Sequence, residues 1–203
     1  MASILELIEE IVRQEFGAPT LATVRAVGAE RQTVSGALGR ASAFVAALAE
    51  VRNKPLTDVC THIGRQLVPP AFGELTFITR RYASTRAILS QLNVVSTEVF
   101  ALLYSTQEAP YIDVELQGAD SLRLTVTGAD EVAAFIEGMI LGASDHFDER
   151  VTVRRLPAPA GGAARHLLEV VFEGERRVGT GSPPPPGAER RAGVLGGVTT
   201  FLK

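Results

Sequence analysis

The sequence is poor in the residues that build metal and redox sites. It has one cysteine, Cys60, and three histidines, His62, His146 and His166. A single thiol excludes an internal disulfide and any all-cysteine metal site. The histidines are scattered, and no pair has the spacing of a metal site on a helix or hairpin. No apolar run approaches the length of a membrane span, and Met1 is not followed by the basic region and apolar stretch of an export signal. The chain is therefore expected to be cytoplasmic and to have no membrane span.

Charge of one sign is also lacking. Twenty Lys and Arg stand against 23 Asp and Glu, a net charge of −3, with no basic stripe along any expected helix. Nucleic acid is not an expected partner. The glycine-rich stretches Gly36–Gly39 and Gly193–Gly197 lack the Lys-Ser/Thr of a phosphate loop, and no serine sits in a nucleophile elbow. The carboxylate groups Glu9-Glu10, Asp113/Glu115 and Asp145/Asp148/Glu149 have no histidine partner. The reading is a non-enzyme, with no catalytic residue and no metal ligand.

What is present is a folding chain. Hydrophobic residues make up 46% of 203, enough for one domain with a real core. Ile4, Ile8, Ile11 and Val12 recur at helical spacing, behind a capping-box pattern of Ser3 and Glu6 and ahead of a stop at Gly17. Further helices are expected over about Thr20–Val27 and Gly36–Arg52, the latter with Leu38, Phe44, Val45 and Leu48 as its buried stripe. A fourth begins at Pro55, carries Val59, Ile63 and Leu67, and should end at Pro69-Pro70. The short apolar segment Phe72–Ile78 follows. Ser84 then caps a long helix reaching about Tyr104.

The period changes at Pro110. Tyr111–Leu116 and Leu122–Val126 alternate with a period of two across turn residues Gln117–Ser121, which predicts a hairpin. Asp130–Ala143 reads as an amphipathic helix. Val151–Leu156 and His166–Phe172 predict a second hairpin. Helices followed by β-β-α-β-β make an α+β fold with one sheet face left to cover something. From residue 174 the chain becomes a linker: Pro183 to Pro186 are consecutive prolines, and Ala192–Lys203 is a short apolar tail.

These segments together resemble the heme nitric-oxide/oxygen-binding (H-NOX) family. The matching features are the opening helix ending in Phe16-Gly17, then Asn53-Lys54-Pro55-Leu56 before a helix, then Ile63-Gly64-Arg65-Gln66. Pro110 opens the first strand, and Phe135 to Phe147 lies on the crossover helix. The resemblance covers residues 1–173. It implies an N-terminal helical subdomain (1–108) packed on a C-terminal four-stranded antiparallel sheet with a crossover helix (109–173), and a cavity between them. In the family that cavity holds heme, through a histidine on the long helix and a Tyr-x-Ser-x-Arg motif that binds the propionates. In the family register the histidine position is Thr97, and the motif positions are Val126, Gly128 and Asp130. The stretch Tyr82-Ala83-Ser84-Thr85-Arg86 spells the motif, but it lies before the long helix, where Ser84 reads as a cap. Cys60, His62, His146 and His166 read as structural residues.

With those ligands replaced, the expectation is a domain without heme. Ile4, Ile8, Thr97, Phe100, Pro110, Phe135 and Met139 would line a slot for a lipophilic small molecule such as a fatty acid. The alternatives are a heme-based sensor of nitric oxide or oxygen with unusual ligation, and a ligand-free adaptor. The partner implied by the family is a histidine kinase or cyclase.

Overall fold

The computed structural model describes residues 3–31, 37–92, 112–157 and 165–173. Five helices come first: α1 (Ile4–Glu30), α2 (Ala37–Arg52), α3 (Leu56–Glu74), α4 (Thr76–Arg81) and α5 (Thr85–Ser90). They are followed by β1 (Ile112–Leu116), β2 (Ser121–Thr127), α6 (Asp130–His146), β3 (Val151–Leu156) and β4 (Arg165–Phe172). The expected order of helices and then ββαββ is the observed one.

α1 opens with the capping box read from the sequence: Glu6 N–H donates to Ser3 Oγ at 3.3 Å, and Ser3 N–H to Glu6 Oε2 at 2.7 Å. Gly17, at φ 83 and ψ 165, interrupts it. Arg25 grips Glu9 through two hydrogen bonds of 2.9 and 2.7 Å. A straight helix would hold residues sixteen apart at about 24 Å, so the two halves of α1 fold back on each other at Gly17. A left-handed φ of this kind is open to glycine and strained for most other residues.

Two expected boundaries differ. α3 does not stop at Pro69-Pro70 but runs through both to Glu74. Proline at 69 removes the donor that would serve the Arg65 carbonyl, and that carbonyl instead lies against Gly142 of α6. The long helix expected over Ser84–Tyr104 starts as read, with Ser84 Oγ accepting from Ala87 N–H at 3.0 Å. It is broken after Ser90, where the Gln91 N–H turns back onto Ile88 and Leu89, and Leu92 is helical again. The rest of that expected helix lies outside the described residues, as does the chain from 174 onward.

The four strands are all antiparallel, in the order β1-β2-β4-β3. The register divides their residues between two faces. On the inner face Leu122, Leu124, Val126, Leu168 and Val170 are completely buried beneath α6. Across the outer face runs a row of alternating charge, Glu115, Arg123, Glu169 and Arg154, one residue from each strand in direct register. Opposite charges facing each other across strands favour this pairing.

The apolar residues form two main clusters. One joins α1, α2 and α3, and takes Ala134 from α6. The other joins the inner face of the sheet to Leu89 and to Ala133, Ile136 and Ile140 of α6. A third, smaller cluster gathers Leu75, Ile78, Tyr82 and Ile88 around Phe72, Ala87 and Phe147. Among the described residues, no helix is long and apolar enough to cross a membrane.

Candidate functional site

α6 sits between the two main clusters, and its contact with α3 places everything around it. Gly64 of α3 and Gly138 and Gly142 of α6 lie at the crossing. A Cβ added at any of them would overlap a backbone carbonyl of the other helix, from Phe135, Thr61 and Arg65 respectively. The sequence segments around Gly64 and around Gly138 thus meet in space, and their glycines are what lets the two backbones touch. Arg65 closes the crossing from outside, donating to both Asp145 carboxylate oxygens at 2.6 and 2.9 Å.

The expected slot residues are divided by this arrangement. Ile4 and Ile8 are 3% and 1% exposed in the helical cluster, and half-buried Phe135 packs against that cluster. Met139, one turn on, packs against the sheet cluster instead. Thr97, Phe100 and Pro110 lie outside the described residues.

At the C-terminal end of β2 the three motif positions are well defined. Val126 is completely buried on the inner face. Gly128, at φ +147, makes the turn into α6, and Asp130 is the first residue of that helix. Asp130 Oδ1 accepts from Arg155 Nη1 at 2.9 Å and lies 3.5 Å from His166 Nδ1. Arg155 Nε also donates to Glu137 Oε2 at 3.0 Å, and His166 Nε2 pairs with the Gly128 carbonyl at 3.0 Å. Because a carbonyl only accepts, Nε2 is the protonated nitrogen of that contact.

Sequence reasoning placed His166 among structural residues and passed over Arg155. The signal was present in the period of the last two strands. His166 faces Val126 and Arg155 faces Leu168, so both belong to the covered side of the sheet.

The remaining polar candidates are taken up locally. Tyr82 is buried in the small cluster, Ser84 caps α5, and Arg86 donates to the Gly118 carbonyl at 3.1 Å with its guanidinium over the Phe172 ring. His62 Nε2 pairs with Glu15 at 2.6 Å, and His146 packs edge-on to Phe72 and Phe147. Cys60 is buried in the helical cluster; burial, with a smaller contribution from the charge of Glu131, pushes its thiol up to about 11. Among the described residues, no group of three His, Cys, Asp or Glu side chains is placed to hold a metal ion.

Residues 2–155 match the family model described as Haem-NO-binding. The chain belongs to the H-NOX family. Solved structures agree in fold. An H-NOX protein from S. oneidensis in the Fe(II)NO ligation state is similar at a TM-score of 0.72 and 19% identity, over 84% of this chain and 98% of that one. The unliganded Fe(II) H-NOX protein from K. algicida gives 0.68 and 15%, over 85% and 96%. A histidine-to-glycine mutant of an H-NOX domain from Shewanella oneidensis, in the Fe(II)CO ligation state, gives 0.70 and 19%, over 85% and 99%. No curated protein sequence matches.

The expectation of an H-NOX domain without heme is thereby corrected. The family to which the chain belongs is a haem-binding one, and the solved structures of its fold carry ferrous iron in several ligation states. The expectation rested on four substituted positions: Thr97 at the histidine position, which lies outside the described residues, and Val126, Gly128 and Asp130 at the motif positions. Val126 and Gly128 offer no side-chain donor, and Asp130 carries the wrong charge for a propionate. The same end of the inner face nevertheless holds Arg155 and His166, supplied from β3 and β4 rather than from β2 and α6. Arginine, and histidine when both ring nitrogens are protonated, suit a carboxylate, so the donor chemistry fits the group although the motif does not.

Proposed function

We propose that this domain is a heme-based sensor of nitric oxide or oxygen whose heme is held by side chains other than the family's usual set. The observation that carries the reading is the family match over residues 2–155, on a chain that builds the helical cluster, the sheet and the α6 between them. Heme iron would supply the position at which a diatomic gas binds. The protein's own part is to present apolar surface and to orient the polar edge of the group at the end of β2. The domain carries no covalent chemistry of its own in this reading. H-NOX domains signal through partner proteins, and a histidine kinase or a cyclase is the class of partner proposed. The reading of a fatty acid as ligand shares one requirement with this one, a carboxylate recognised at the same end of the sheet.

The test is reconstitution of the purified chain with hemin, followed by gel filtration, reduction and exposure to nitric oxide or carbon monoxide. A Soret band at about one heme per chain that shifts with the gas supports the reading. Heme that separates from the protein on the column overturns it.

A further inference from the structure

The end of the inner face beside Gly128 already binds a carboxylate, and that carboxylate is the protein's own. Val126 is wholly buried, so His166, its direct partner on β4, points to the same covered side. Leu168 is equally buried, so Arg155, its partner on β3, does too. His166 and Leu168 are neighbours along one face of β4, which places Arg155 and His166 diagonally across a strand pair, within reach of long side chains. Arg155 Nη1 donates to Asp130 Oδ1 at 2.9 Å, and His166 Nδ1 lies 3.5 Å from the same oxygen, where it donates only as the imidazolium because Nε2 already serves the Gly128 carbonyl.

The occupant is loosely held. The Asp130 side chain is 59% exposed, at the first residue of α6, while His166 is 23% exposed and tied to the Gly128 carbonyl. Asp130 can turn into water at little cost, whereas Arg155 remains anchored through Glu137. The charge count also favours an exchange. Arg155 already faces two carboxylates, Asp130 and Glu137, so a third is better accommodated when one leaves.

We infer that Arg155 and His166 form a carboxylate-binding site at the covered end of the sheet, closed by Asp130, and that the carboxylate of an incoming ligand displaces Asp130. For heme propionates the inference rests on the function proposed above; a fatty acid would present the same chemistry.

The experiment uses the full chain and two porphyrins, hemin and hemin dimethyl ester, which differ only in their carboxylates. Each is titrated into wild type, Asp130→Asn, Arg155→Met, Arg155→Lys and His166→Gln, with the Soret band as readout and circular dichroism to confirm folding. Removing the competitor in Asp130→Asn should tighten hemin several-fold. Arg155→Met should weaken it by about tenfold, the loss of one charge-assisted bond, with Arg155→Lys in between and His166→Gln weaker than wild type. The dimethyl ester should bind all five proteins alike. Equal effects on hemin and ester, or no effect on either, overturn the site while leaving the heme reading intact. If wild type takes up neither porphyrin, the heme reading fails, and cis-parinaric acid against its methyl ester in the same proteins decides the site. A dependence on Arg155 for the acid alone supports it, and no such dependence overturns it.

Discussion

Gly138 on α6 lies directly over the carbonyl of Thr61 on α3, so closely that no side chain fits between them. The Arg65 amide nitrogen stands 2.9 Å from where a Cβ at Gly138 would be. Both neighbours are backbone atoms, which cannot rotate aside as the end of a side chain can.

Gly138→Ala should therefore destabilise the protein by about 2–3 kcal/mol, the upper part of the range for overpacking, because the whole helix pair must separate. Gly73→Ala is the control. Gly73 lies in the same α3 with nothing within 4 Å of its Cβ position, and alanine there should be neutral or gain up to about 1 kcal/mol from helix propensity. Thermal or urea denaturation of the two variants checks the contrast. Equal losses would mean that the crossing is looser than described.

Ser84→Ala should cost about 1 kcal/mol through loss of the cap on α5, and should leave hemin uptake unchanged. Tyr82 and Arg86 belong to the same prediction. Tyr82 is packed in the small cluster, and Arg86 holds the turn at Gly118. A specific loss of hemin binding in Arg86→Ala, with stability intact, would show that the Tyr82–Arg86 stretch is a ligand site after all.

The Cys60 thiol should be inert to a thiol reagent at pH 8 in the folded protein and react only on unfolding, since it is buried and held protonated up to about 11. The sign of the linked stability follows. The folded state keeps its proton to a higher pH than the unfolded state, whose thiol ionises near the model-peptide range. Stability is fully present below about pH 8.5–9 and falls as pH rises towards 11, by at most about 1.4 kcal/mol per pH unit. Cys60→Ala should remove that part of the alkaline slope, which denaturation at pH 8, 9 and 10 would measure.

Deleting residues 174–203 should leave the melting temperature within a few degrees. The last described strand is closed before that point: Glu173 N–H donates to the Arg150 carbonyl, and Thr152 Oγ1 donates to Glu173 Oε1 at 2.6 Å. A loss of more than about 2 kcal/mol would mean that the apolar tail docks on the domain.

The sequence showed most clearly what depends on local period. Ser3 with Glu6, Ser84, and the alternation of Leu122–Val126 each encode their element within a few residues, and the structure places them as read. Pro69-Pro70 misled, because α3 is held by its packing on α6, where the Arg65 carbonyl left by Pro69 lies against Gly142, a residue more than seventy positions away in the chain. Arg155 and His166 were hidden for a related reason. Each sits on a strand whose inward face can be named from its period, but that they meet at Asp130 depends on the order β1-β2-β4-β3, which no local pattern states.

The glycine contact between α3 and α6 has a mechanical side. Ala134 belongs to one cluster and Ala133, its neighbour in the chain, to the other, so α6 is held from two sides. Joined to α3 without a layer of side chains to act as a cushion, it behaves as a strut. The other joint of this kind is the fold of α1 at Gly17, where a glycine again lets backbone segments approach and the Arg25–Glu9 pair closes them from outside.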